Sequence, residues 1–164
     1  MSIRDAQPGD AAAIAGIYNV YVSSTTVTFE TVPVDAPGMA RRIAEIQAHG
    51  LPWLVACTDG TVCGFAYAAP WKARAAYAHT VESSIYLAGS ARGRGLGRRL
   101  YAALIERLRE AGLHTVIGGI ALPNPASVRL HEGIGFSRIG VFREVGHKFG
   151  GRIDVGYWQL QLAD

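Results

Sequence analysis

The chain has 164 residues, 49% apolar and 18% charged, with a net charge of +3 at pH 7. That composition excludes a disordered or fibrous chain and is long enough to bury a core, so a single domain over residues 1–164 is expected. No apolar run reaches the length of a membrane span, and the excess basic charge gathers at a few positions, which sets membrane and nucleic acid aside as partners.

Met1–Asp10 carries no apolar signal-peptide core, so the cytoplasm is the expected compartment. Cys57 and Cys63 read as buried thiols, and no metal-ligand spacing links cysteine and histidine. A first strand starts at Ile3-Arg4. Asp10 can cap a helix to about Val22, with Ile14, Ile17, Tyr18 and Tyr21 on one face. Ser23–Thr31 is polar, β-branched and irregular. Asp35 and Pro37 open a second helix that ends near His49-Gly50. Trp53–Cys57 and Val62–Tyr67, joined through Asp59-Gly60, form a hairpin, and Pro70–Tyr77 follows as a loop or one helical turn.

Ser83–Leu87 is a short strand that Ala88–Ala91 breaks. Beyond it, Leu96, Leu100, Leu104 and Leu108 stripe a helix that Gly112 can close. Thr115–Ala121 is the next strand. Asn124 caps another helix with Pro125 at its first position, ending at Gly133–Phe136. Val141–Glu144 and Val155–Leu162 are the last strands, with Gly146–Arg152 as a loop between them. The order β-α-α-β-β-β-α-β-α-β-β predicts an α/β (α+β) fold. Its sheet is mixed and largely antiparallel, with helices on both faces and one parallel pair spanning the glycine-opened helix.

That glycine-rich turn, Arg92-Gly93-Arg94-Gly95-Leu96-Gly97-Arg98-Arg99, sits between strand and helix. The first backbone N–H groups of a helix lack partners and lie at the positive end of its dipole. Glycines let a ligand approach closely, and four arginines in eight residues add forked donors. The combination describes a pyrophosphate cradle. It is no Walker loop, since Gly-Lys-Ser/Thr is absent. Counting from Gly93, the sixth position is Arg98, which excludes a dinucleotide fingerprint.

Arg-x-x-Gly-x-Gly, Arg92 to Gly97, resembles the acyl-CoA signature of the Gcn5-related N-acetyltransferase (GNAT) superfamily. The resemblance implies acetyl-CoA as co-substrate, no metal, and a cradle of Ile85, Tyr86 and Leu87 with Arg92, Gly93, Arg94, Gly95, Leu96, Gly97 and Arg98. Asn124 and Ser127 resemble the superfamily's second cofactor segment. Many members carry Tyr where this chain has His131, and that Tyr protonates the departing thiolate; a histidine can serve as that acid or as a base. Its alternative is a capping or packing histidine. Glu82, early in the strand leading to the cradle, is the candidate general base; the alternative is a strand-edge glutamate facing water.

Pro70–Tyr77, Thr80–Ser83, Leu122–Asn124, Ser127–Glu132 and Asp154–Gln159 are similar to phosphinothricin N-acetyltransferases. This narrower resemblance implies that Arg74 and Tyr77 bind the acid groups of a glutamate-like substrate, with Phe29 and Lys148 lining the pocket. It also implies a homodimer. Where the herbicide-resistance enzymes carry Arg, this chain has Glu30, as methionine sulfoximine and sulfone acetyltransferases tolerate. Glu30 beside the pocket is therefore expected to repel a second anion and favour methionine sulfoximine over phosphinothricin. Two readings stand as alternatives: an acetyltransferase for peptide or protein N-termini, and a CoA-sensing module without turnover.

Overall fold

The structure, a computed structural model, describes residues 1–163. Strands β1 (Ser2–Asp5), β2 (Trp53–Thr58), β3 (Thr61–Pro70), β4 (Thr80–Leu87), β5 (Thr115–Ala121), β6 (Ser137–Lys148) and β7 (Gly151–Gln161) form one sheet in the order β1-β2-β3-β4-β5-β7-β6. Every pairing is antiparallel except β4 with β5. Helices α1 (Ala11–Ser24) and α2 (Ala36–Ala48) cover one face, and α3 (Leu96–Glu110) and α4 (Pro125–Ile134) the other. The expected fold class and element order are as found.

Local chemistry explains most boundaries. Asp35 accepts from the Gly38 N–H and caps α2; Asn124 accepts from Ser127 N–H and caps α4. Asp59 (φ 50°) and Gly60 (φ 77°) make the tight turn between β2 and β3. The leucine stripe of α3 packs with Tyr101 and Ile105 against Ala66, Ala68, Val81 and Val116 of the sheet. On the opposite face Ile14, Tyr18, Met39 and Ile43 meet Trp53, Val55 and Phe65.

One stretch differs from expectation. Gly146–Arg152 is no loop: β6 continues to Lys148, turns through Phe149 (φ 52°) and Gly150 (φ 74°), and returns as β7. Exposure on an edge strand removes the alternation by which a strand is recognised, and Ile139, Phe142, Val145 and Phe149 are all largely exposed here.

The sheet's functional feature is a fork. β4 and β5 pair only from Thr80↔Thr115 to Glu82↔Ile117, then part. From Ser83 to Leu87 the β4 edge toward β5 pairs with no strand among the described residues. Such an edge can take an extended ligand by main-chain hydrogen bonds.

Candidate active site

The fork opens into a cleft of about 440 Å³, lined by Glu82–Tyr86 on one side and Gly119–Ala121 on the other. Val27–Phe29, Val145 and Tyr157 wall one end, and Asn124, Ser127 and His131 of the α4 region the other. At its vertex stands Glu82. A Cβ on Gly119 would lie 3.3 Å from Glu82 Oε1 and 3.3 Å from the Tyr157 ring, so the glycine leaves room for both side chains. Burial pushes the Glu82 carboxyl above the usual carboxylate range, and the nearby charge of Lys72 partly opposes that shift. A carboxylate with raised pKa in a cleft is a stronger base than one in water.

The glycine turn expected to hold a pyrophosphate is open. Gly93 (φ 72°) and Gly95 (φ 73°) adopt the left-handed conformation that favours glycine, and neither would bring a Cβ within 4 Å of another group. Gly95 is the N-cap of α3 and offers no side-chain cap, so the helix's first N–H groups remain available. The chemistry of this turn suits a pyrophosphate. Among the described residues Arg94 and Arg98 make no side-chain hydrogen bond or ion pair, whereas Arg92 Nη2 donates to Tyr21 Oη at 2.8 Å. Tyr21 in turn donates to the Leu87 carbonyl at 2.5 Å, tying α1 to the end of β4. Gly97 serves packing: its Cβ position is bounded by Leu87 at 3.4 Å and Leu130 at 3.6 Å. Leu96 is 5% exposed and belongs to the core beneath the turn. Ile85 and Tyr86 line the cleft directly.

His131 is 4% exposed, and burial lowers its pKa, so the ring is neutral. Nδ1 lies 2.7 Å from the Ser127 carbonyl, an acceptor only, so it must carry the proton and donate. Nε2 is then an acceptor, and Tyr101 Oη, 3.0 Å away, donates to it. Ser83 Oγ, 2.6 Å from Tyr101 Oη, donates to the tyrosine oxygen and completes the chain. Both ring nitrogens are therefore committed within the protein. Gly118 makes room for this ring: a Cβ there would lie 2.7 Å from His131 Nε2.

The residues expected at the acceptor end are not all gathered. Phe29 reaches the cleft; Arg74 and Tyr77 line a separate depression with Trp71, Lys72, Thr80 and Val81, and Trp71 there makes an edge contact at 5.9 Å with Tyr157 of the cleft. Lys148 does not present its amine to the cleft: Nζ donates to the Thr28 carbonyl at 2.8 Å. Glu30 turns away too. Arg42 grips its carboxylate at 2.5 and 3.0 Å, and Tyr18 donates to it at 2.8 Å. With its charge matched by Arg42, Glu30 supplies no uncompensated repulsion against a second anion.

Sequence reading missed Tyr101, Arg42, Lys72 and Tyr157. For Tyr101 a signal existed, since a tyrosine on the buried face of a leucine-striped helix needs a partner for its hydroxyl.

Residues 14–136 match the model of the acetyltransferase (GNAT) family. A phosphinothricin N-acetyltransferase of Streptomyces viridochromogenes is 43% identical over 159 residues, covering 97% of this chain and 86% of that one. An L-methionine sulfoximine/L-methionine sulfone acetyltransferase of Pseudomonas paraeruginosa is 41% identical over 165 residues, covering 98% and 94%. The structure of a phosphinothricin acetyltransferase from Sinorhizobium meliloti, in complex with acetyl-CoA, superposes with a TM-score of 0.95 at 36% identity, covering 98% of this chain and 88% of that one. With the family model matching residues 14–136 and the fold shared over nearly the whole chain, the chain belongs to the acetyltransferase (GNAT) family.

Proposed function

We propose that this protein is an acetyl-CoA-dependent N-acetyltransferase for the amino group of small amino-acid analogues of the methionine sulfoximine, methionine sulfone and phosphinothricin class. The observation that carries the reading is Glu82, a half-buried carboxylate of raised pKa at the vertex of a cleft whose wall follows β4 from Glu82 to Tyr86, the strand that leads into the glycine turn. Relatives acting on such analogues support the substrate class.

Acetyl-CoA, when bound, supplies an activated acetyl thioester. The α3 N-terminus with Gly93, Gly95, Arg92, Arg94 and Arg98 would hold its pyrophosphate, and Ile85–Leu87, Asn124 and Ser127 would lie along its arm. Glu82 takes a proton from the acceptor's ammonium. An α-amine titrates at about 8 or somewhat higher, so a base has a deficit of only about 1–3 kcal/mol to overcome at neutral pH, and positioning contributes much of the rest. His131, neutral and bonded at both nitrogens, orients the α4 wall through Tyr101 and Ser83. Phe29 packs against the acceptor; Arg74 and Tyr77 are assigned to its acid groups through the depression that adjoins the cleft.

A homodimer fits the sheet face that α1 and α2 leave uncovered, where Ile117, Tyr157, Phe142 and Ile139 form an apolar groove with Trp71. Two free cysteines suit the reducing cytoplasm. The test is thiol release from acetyl-CoA across a panel of free amino acids, the sulfoximine, the sulfone, phosphinothricin and a peptide N-terminus. Release with the small analogues supports the proposal. Release with the peptide alone would redirect it to an N-terminal acetyltransferase, and binding without release to a sensing module.

A further inference from the structure

Lys148, the last residue of β6, is 4% exposed, yet among the described residues no carboxylate lies within ion-pair distance of it. Its ammonium donates to the Thr28 carbonyl at 2.8 Å and lies 3.5 Å from the Tyr21 carbonyl. Tyr21 O belongs to the last turn of α1, the negative end of that helix's dipole. A buried ammonium is costly unless its hydrogen bonds are made, so the position of these carbonyls is coupled to Lys148.

The Thr28 carbonyl belongs to the segment between α1 and α2, and the Tyr21 carbonyl to the helix turn that leads into it. The segment has no regular secondary structure from Thr25 to Asp35, and it contributes Val27, Thr28 and Phe29 to the cleft wall. The same β6 strand meets this segment a second time. Gly146 lies under the Phe29 ring so closely that a Cβ would fall 2.4 Å from Cζ. β6 therefore grips the segment at two points, by a hydrogen bond to backbone at Lys148 and by close approach at Gly146. On the opposite flank, Tyr18 and Arg42 fix Thr28 and Glu30.

We infer that Lys148 is a positioning residue that latches the α1–α2 segment onto β6 and so sets the acceptor wall of the cleft, and that it does not touch the substrate's carboxylate. The inference rests on the reading that the cleft beside Phe29 receives the amine. The acceptor would feel Lys148 only through the placement of Val27, Thr28 and Phe29.

The experiment compares wild type with Lys148→Met and Gly146→Ala, using methionine sulfoximine and its carboxamide as acceptors. Lys148→Met should raise KM for both acceptors by tenfold or more, leave their kcat/KM ratio unchanged, and leave KM for acetyl-CoA within twofold. Amide hydrogen exchange between Thr25 and Asp35 should accelerate at least tenfold. Gly146→Ala should give the same pattern, and the double variant should lose less than the product of the two. A loss confined to the free acid would overturn the inference in favour of a direct carboxylate contact. Unchanged exchange in both variants would overturn it as well. Exchange is read without turnover, so it decides the latch even where an inactive wild type would refute the acceptor reading itself.

Discussion

Replacing Tyr101 by phenylalanine removes one oxygen from a site where that oxygen holds two other groups. Tyr101 is 0% exposed, and its hydroxyl lies 2.6 Å from Ser83 Oγ and 3.0 Å from His131 Nε2. The ring keeps its edge contacts to His131 at 5.1 Å and Phe136 at 5.5 Å, so packing survives. What is lost is the donor to His131 Nε2, with no other donor to that atom among the described hydrogen bonds. Ser83 Oγ retains an outlet, since it lies 3.4 Å from the Ile117 carbonyl. One buried acceptor is therefore stranded, at a cost of about 1–3 kcal/mol. For a domain of this size that lowers Tm by about 2–12 °C. The histidine, held then only through Nδ1, can turn within its cavity, and kcat should fall about tenfold with little change in KM for acetyl-CoA. Thermal denaturation and steady-state kinetics on the same preparation measure both. A variant with wild-type Tm and kcat would refute the assignment of Tyr101 as the group that orients His131.

Gly95→Val forces a β-branched residue to φ 73° and places a side chain in the open turn, so acetyl-CoA affinity by calorimetry should fall tenfold or more, about 1.4 kcal/mol. Glu30→Gln breaks the Arg42 pair, and because both side chains are more than a third exposed the cost at neutral pH should be at most about 1 kcal/mol. The hydrogen bond from Arg42 holds the Glu30 carboxyl below its usual pKa of 4.5, so that stability is present above about pH 4.5 and lost as pH falls through the folded value. The deficit of the variant, followed by denaturant unfolding against pH, should therefore vanish in acid; a deficit that persists there would show that the pair's charge is not its source. The same variant should leave the kcat/KM ratio of methionine sulfoximine to phosphinothricin unchanged, since Arg42 already neutralises Glu30.

The parts of this molecule legible in its sequence are those whose causes are local. The glycines of the cradle, the leucine stripe of α3, the Asn124 cap and the Asp59-Gly60 turn each follow from neighbours a few residues away. Residues that depend on distant partners were not legible. Nothing near Glu30 says that Arg42, on the next helix, will reach back to it, and nothing near Lys148 says that its ammonium meets a carbonyl 120 residues earlier. Gly146 reads as a loop glycine in the sequence because its reason, the Phe29 ring, lies on another element. The splay of β4 from β5 also escapes periodicity, since it is a matter of register after Glu82↔Ile117.

The central claim is that Glu82 removes the acceptor's proton, and a pH profile of kcat/KM for Glu82→Gln against wild type tests it most directly. The amide keeps the shape and can hydrogen-bond but cannot take the proton. The variant should be slower by about 10²–10⁴ at neutral pH, and the gap should close as pH rises and free amine forms without help. A gap that is constant across pH, or no gap at all, would contradict the claim and leave Glu82 as a structural carboxylate at the fork of the sheet.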